Sequence, residues 1–128
     1  MDCSCDVSSI AFPVPADLRE CAPGTSEAAA ICPRCLAVRP ADGGEADPDF
    51  STVSDAFPAG EGGVALALAL GLLESLALNR AEIETALEAA ERAGADPLLA
   101  IDRLLADPNV EPAIDLDRRR VQLESMLY

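Results

Sequence analysis

The chain has 128 residues, enough for one hydrophobic core with room for a small appended module, and carries 23 Asp and Glu against 9 Lys and Arg, a formal net charge of −14 at pH 7. All nine basic residues are Arg and there is no His, so imidazole acid–base chemistry and His metal ligands are excluded. In dilute buffer that charge repels nucleic acid, but at molar salt the Debye length is about 3 Å and counterion release is suppressed, which leaves nucleic-acid binding unsupported without excluding it.

A large acidic excess is a device of salt-loving proteins, and the missing Lys fits it, because strong salt drives exposed alkyl stems together. The opening residues, MDCSCDVSS, have no basic n-region and no apolar h-region, so no signal peptide is expected. The expected compartment is the cytoplasm, where thiols stay reduced and clustered Cys more often bind metal than form disulfides.

Residues 1–40 hold all five cysteines. Ile10, Phe12 and Val14 alternate with Ala11 and Pro13, the pattern of a short strand, and Pro13 makes it an edge because it cannot donate to a ladder. Ala22-Pro23-Gly24-Thr25 is a turn signal, after which Glu27 to Ile31 return as a second strand and lead straight into Cys32-Pro33-Arg34-Cys35. Two strands this short need a staple to hold together in water.

Residues 41–60 are rich in Asp, Gly and Pro and read as a linker. Within it Phe50, Val53 and Phe57 stand at i, i+3 and i+7 behind a possible N-cap at Asp49 or Ser51, predicting a short helical segment that docks its phenyl rings on the next element.

That element is Gly62 to Leu78, GGVALALALGLLESLAL, 17 residues built almost wholly of Ala and Leu. Strands favour β-branched and aromatic residues, and Ala and Leu are the two best helix formers. On a helix, Leu66, Leu70 and Leu73 form one stripe and Val64, Leu68, Leu72 and Leu76 a second, so the rod needs partners on two sides. A membrane span is the rival reading, at the short limit for crossing a bilayer; Glu74 and the weak hydrophobicity of Ala favour a central core helix.

Asn79 and Glu82 have capping-box spacing and open a helix whose inner stripe is Ile83, Ala86, Leu87 and Ala90, closed by Gly94 at C′. Asp96-Pro97 caps a third helix with inner face Leu98, Ile101 and Leu105 and Leu104 beside them, stopped at Asp107-Pro108. Pro108 to Asp115 is a connector. A last helix from about Leu116 to Leu127 buries Leu116, Leu123 and Leu127. Short connections imply antiparallel neighbours. The expected fold class is α+β: a β-hairpin, zinc-ribbon-like module over residues 1–40, an acidic linker with a docking helix over 41–60, and an all-α four-helix bundle over 61–128.

Cys32-Pro33-Arg34-Cys35 has the spacing of half a zinc ribbon, because two intervening residues let both thiolates reach one metal. Cys3 and Cys5 are the favoured second pair, since the two pairs flank the two strands; Cys21 in place of Cys3 or Cys5 is the alternative. Four thiolates would close the site, making zinc structural rather than catalytic. Two other readings compete with it. One is thiol–disulfide exchange by Cys32 and Cys35, and the other is a metal-free chain that dimerises through an exposed Leu stripe. Arg118-Arg119-Arg120 fan over roughly 200° of a helix and read as solvated or ion-paired, with Glu111 and Glu124 as partners; a buried Glu74 would need Arg80 or one of Arg118 to Arg120. There is no general-base pair, nucleophile motif or convincing phosphate loop.

The strings AFPVPADLRE from Ala11, CPRCL from Cys32, PDF from Pro48, AFP from Ala56, VALALALGLLESLALNR from Val64, DPLL from Asp96 and DL at Asp115 together resemble a family of uncharacterised haloarchaeal proteins with a zinc-ribbon-like N-terminus. The resemblance covers nearly the whole chain and implies source and architecture, with no activity attached. The family's first cysteine pair is generally C-x₂-C, from which Cys3-Ser4-Cys5 departs. The resulting expectation is a zinc-binding interaction or regulatory module without catalytic activity, acting on an unidentified protein partner.

Overall fold

In the computed structural model, which describes residues 5, 7–44 and 47–127, the Ala-Leu run forms α1, Gly60–Leu72, buried continuously from Gly62 to Leu70. Nine consecutive buried residues mean the rod is enclosed on every side, as two apolar stripes require. No helix among the described residues is long and apolar enough to cross a membrane.

Three strands, β1 (Ile10–Pro13), β2 (Ala28–Ile31) and β3 (Val38–Pro40), form an antiparallel sheet in that order. Pro13 lies on an edge strand, as its missing N–H demands. The third strand has no sequence signature of its own: Val-Arg-Pro is a strand because the chain turns back directly from β2 and pairs Ile31 with Val38 and Ala29 with Pro40. Ile10, Ile31 and Val38 lie in one row of the sheet, and Phe12 and Ala29 in the next, on the face turned toward α1. Between β1 and β2 the chain makes 3-10 turns at Ala16–Cys21 and Pro23–Thr25, with Gly24 in left-handed backbone.

All three phenylalanines meet at the start of α1. Phe50 packs tilted on Phe12 at 5.6 Å and stacked on Phe57 at 5.2 Å between ring centroids. The linker segment is shorter than expected, a single 3-10 turn at Phe50–Thr52 whose cap, Asp49, accepts a hydrogen bond from Ser51 N. Its rings nevertheless dock on the central helix: a Cβ at Gly63 would stand 2.5 Å from the Phe50 ring.

The remaining helices are α2 (Arg80–Arg92), α3 (Pro97–Ala106) and α4 (Leu116–Leu127), so a small N-terminal sheet is followed by a bundle of about four helices. The start of α1 faces the end of α2, where Gly62 lies against Ala93 and Ala95, so the two run antiparallel. Ile83, Ala86, Leu87 and Ala90 are the buried stripe of α2. Its C-terminus is closed by Ala95 N donating to Ala90 O and Gly94 N to Glu91 O, with Gly94 at φ +93°; this is the Schellman pattern that glycine permits. Asp96 caps α3 by accepting from Leu99 N.

Two local expectations are corrected. First, α1 ends at Leu72 and continues only as a 3-10 turn, Leu73–Ser75, which leaves Leu78 86% exposed. The stop comes from Asn79, whose side-chain amide donates to Leu72 O at 3.2 Å rather than forming a capping box with Glu82. Second, α3 is rotated so that Pro97, Ala100, Ile101 and Leu104 are buried, while Leu98 is only partly buried and Leu105 is exposed. Small residues at 97 and 100 let the helix approach closely, which hydrophobicity alone did not rank. Glu74 is exposed, the case in which it needs no ion pair, and Arg119 reaches its backbone carbonyl. Arg120 bonds Asp102 and Glu124, while Glu111 pairs with Arg34. In α4 Leu116 and Leu123 are buried as expected, and the expected burial of Leu127 falls outside the described side chains.

Helix and sheet touch most closely at Gly71, where a Cβ would lie 2.7 Å from Val38 Cβ. Gly71→Ala gains about 1 kcal/mol of helix propensity but overpacks a rigid contact at a cost of about 1–3 kcal/mol. The expected net effect is a loss of about 1 kcal/mol, seen as a lower urea midpoint; a higher midpoint would show that α1 and β3 separate without cost.

Candidate metal centre

The register of β1 on β2 pairs Ile10 with Ile31. Continued outward, it carries the N-terminal arm beside the residues that follow Ile31. The sulfurs of Cys5, Cys32 and Cys35 lie within 4.8 Å of one another there. Cys32 and Cys35 are buried and Cys5 is half-buried. With Ala37 they form a small cluster separate from the main core.

The turn that carries Cys32 and Cys35 joins β2 to β3 and is closed by Cys32 N donating to Ala37 O and Leu36 N to Cys32 O. Leu36 sits at φ +64°, a left-handed conformation that costs a branched residue roughly 1–2 kcal/mol. Its side chain is 4% exposed and belongs to the main core, and full burial of Leu contributes about 1.5–3 kcal/mol. Burial therefore outweighs strain.

A second segment lies across this turn. Glu111 N donates to Arg34 O at 2.7 Å and Ala113 N to Cys35 O at 3.0 Å. Arg34 and Glu111 also pair through their side chains at 3.4 Å. Glu111 is the main cause that raises the Arg34 pKa, with Cys5 and Cys32 adding to it. At 50% and 67% side-chain exposure this ion pair contributes little on its own. No side-chain pattern announces backbone bonds, so the docking of Pro108 to Asp115 onto the cysteine turn was not legible in the sequence.

Of the expected ligands, Cys5, Cys32 and Cys35 are brought together, Cys3 lies outside the described residues, and Cys21 sits elsewhere. Cys21 is buried in the main core and its Sγ donates to Glu82 O at 3.3 Å, tying the turn after β1 to α2. Burial, followed by Glu20, Glu82 and Asp17, pushes its thiol from 9.0 up to about 11. The three-sulfur group fits a thiophilic metal in donor type and spacing: thiolates suit zinc, and the sulfurs are within reach of a common centre.

A short antiparallel sheet with a cysteine turn, backed by helices, defines an α+β protein with a cysteine cluster able to coordinate a metal ion. The chain belongs to the Family of unknown function (DUF6276), which matches residues 2–127. No curated protein and no solved structure matches it.

The Cys21 environment has a measurable consequence at alkaline pH. Between pH 9 and about 11 the folded state keeps a proton that the unfolded chain has lost, so stability falls as pH rises through that window and is unaffected below it. The loss is about 2–3 kcal/mol. Denaturation at pH 8 and pH 11 should show a smaller alkaline loss in Cys21→Ala than in the wild type; equal losses would refute the buried-thiol account.

Proposed function

We propose that this chain is a small zinc-stabilised interaction or regulatory module, without catalytic activity, of a salt-adapted cytoplasm. The observation that carries the reading is the meeting of three sulfurs from two distant segments at one end of the sheet. Cys5, Cys32 and Cys35 would hold the metal, with Cys3 as the fourth thiolate. Bound there, zinc would supply folding free energy by cross-linking the N-terminal arm to the turn between β2 and β3. Four thiolates leave no position for a reacting water, which supports a structural role over a catalytic one. A redox role for Cys32 and Cys35 has less support, because the pair lies in a hairpin turn and not at a helix N-terminus, where a thiol pKa is lowered.

Purified protein is expected to hold zinc at a ratio near one, lost in Cys32→Ser and Cys35→Ser, weakened in Cys3→Ser and kept in Cys21→Ser. A wild-type chain that takes up no zinc on refolding in its presence would end this reading.

Salt adaptation rests on the charge of −14 and on its placement: no described Asp or Glu is buried. Self-repulsion among surface carboxylates destabilises a compact state and is screened as the Debye length falls from about 10 Å at 0.1 M to 3 Å at 1 M. The melting temperature should rise by several degrees from 0.1 to 2 M KCl; a flat or falling profile would count against it.

A further inference from the structure

Among the described residues, the connector between α3 and α4 makes its backbone bonds outside its own turns to two carbonyls, those of Arg34 and Cys35. Both lie in the cysteine turn. Among the described residues the apolar material holding that turn locally is slight, its own cluster being Cys32, Cys35 and Ala37 with Cys5 packed against them. Its backbone is also strained at Leu36. The turn is closed by its own two backbone bonds and anchored by Leu36, and a cross-link to the N-terminal arm would further restrict where these carbonyls point.

The other end of the linkage is the main core. Val110 is 7% exposed and belongs to it, as do Ala100, Ile101 and Leu104 of α3 and Leu116 and Leu123 of α4. Beside the turn, Pro33 and Arg34 face Pro108, Asn109 and Glu111 across an open cleft of about 500 Å³. The connector therefore faces the turn across an open cleft rather than a packed contact, and such seams open at low cost.

We propose that metal occupancy of the cysteine cluster sets whether the connector between α3 and α4 is docked, so that the site acts as a latch on the C-terminal helix pair. The inference rests on the zinc reading above. With the turn cross-linked, the Arg34 and Cys35 carbonyls are held toward Glu111 and Ala113. With the cross-link removed, the turn relaxes, both bonds are lost, and the connector lifts while α1 and α2 keep their enclosed core. The coupling is reciprocal: a change that undocks the connector lowers metal affinity by the same factor that metal loss loosens the connector.

Two measurements on the full chain in molar KCl test it. Zinc binding is first established by titration, so that failure of the metal reading is seen by itself; absence of binding overturns both. Amide hydrogen exchange is then compared with zinc bound and after chelation. Glu111 and Ala113 are expected to exchange at least tenfold faster after chelation, with Leu68, Leu70 and Leu87 unchanged. Zinc binding with unchanged exchange at Glu111 and Ala113 overturns the latch and leaves the metal site standing, and uniform loss of protection across α1 and α2 overturns it as well. The second arm uses Ala113→Pro, which removes the donor to Cys35 O and no proposed ligand. It is expected to weaken zinc affinity about tenfold, the worth of one lost hydrogen bond; an unchanged affinity overturns the coupling.

Discussion

The enclosure of α1 is the constraint from which the rest of the architecture follows. A helix with apolar side chains on every side cannot stand at the surface of a bundle, so it must be wrapped. One side takes α2, with Gly62 against Ala93 and Ala95; another takes the sheet, with Gly71 against Val38; its start takes the phenyl rings at Gly63. Glycine stands at each of these closest approaches. The Ala-Leu composition that makes the rod helical also makes it thin enough to be surrounded by a chain of only 128 residues. The small sheet has a place in the core because it supplies part of that wrapping through Phe12, Ile31 and Val38.

What could be read from the sequence was whatever depends on near neighbours in the chain. The two stripes of α1, the Schellman close at Gly94, the Asp96-Pro97 start of α3 and the placing of β1 at an edge are decided within a few residues. What could not be read depends on groups far away. The end of α1 is fixed by an amide seven residues on, although Leu-Ala-Leu would continue a helix on propensity alone. β3 exists through its pairing and not its composition. The inner face of α3 was misjudged because ranking by hydrophobicity placed Leu105 above Ala100, whereas close packing favoured the smaller side chain.

The candidate site divides the same way. Cys32 and Cys35 declare themselves by spacing, and the flanking-strand argument places Cys5 beside them. The role of Cys21 was open, since nothing local distinguishes a ligand thiol from a core thiol. Its resolution came from α2, which offers the Glu82 carbonyl. The segment from Pro108 to Asp115 looked like a bare connection, yet through Arg34 O and Cys35 O it ties the last quarter of the chain to the cysteine turn near its start. Such ties raise the sequence separation of the native contacts, which slows folding relative to a purely local helical bundle.

The left-handed backbone at Leu36 does more than close a turn. By reversing the direction of one side chain among its neighbours, it drives a leucine into the interior while Cys35 and Ala37 stay in the peripheral group with Cys32. The sulfurs of the described cysteines fall into two groups: Cys21 in the main core, and Cys5, Cys32 and Cys35 within reach of a common point in the second cluster. Among the described cysteines Cys5 alone is half-buried, so an ion arriving from solvent meets that sulfur first.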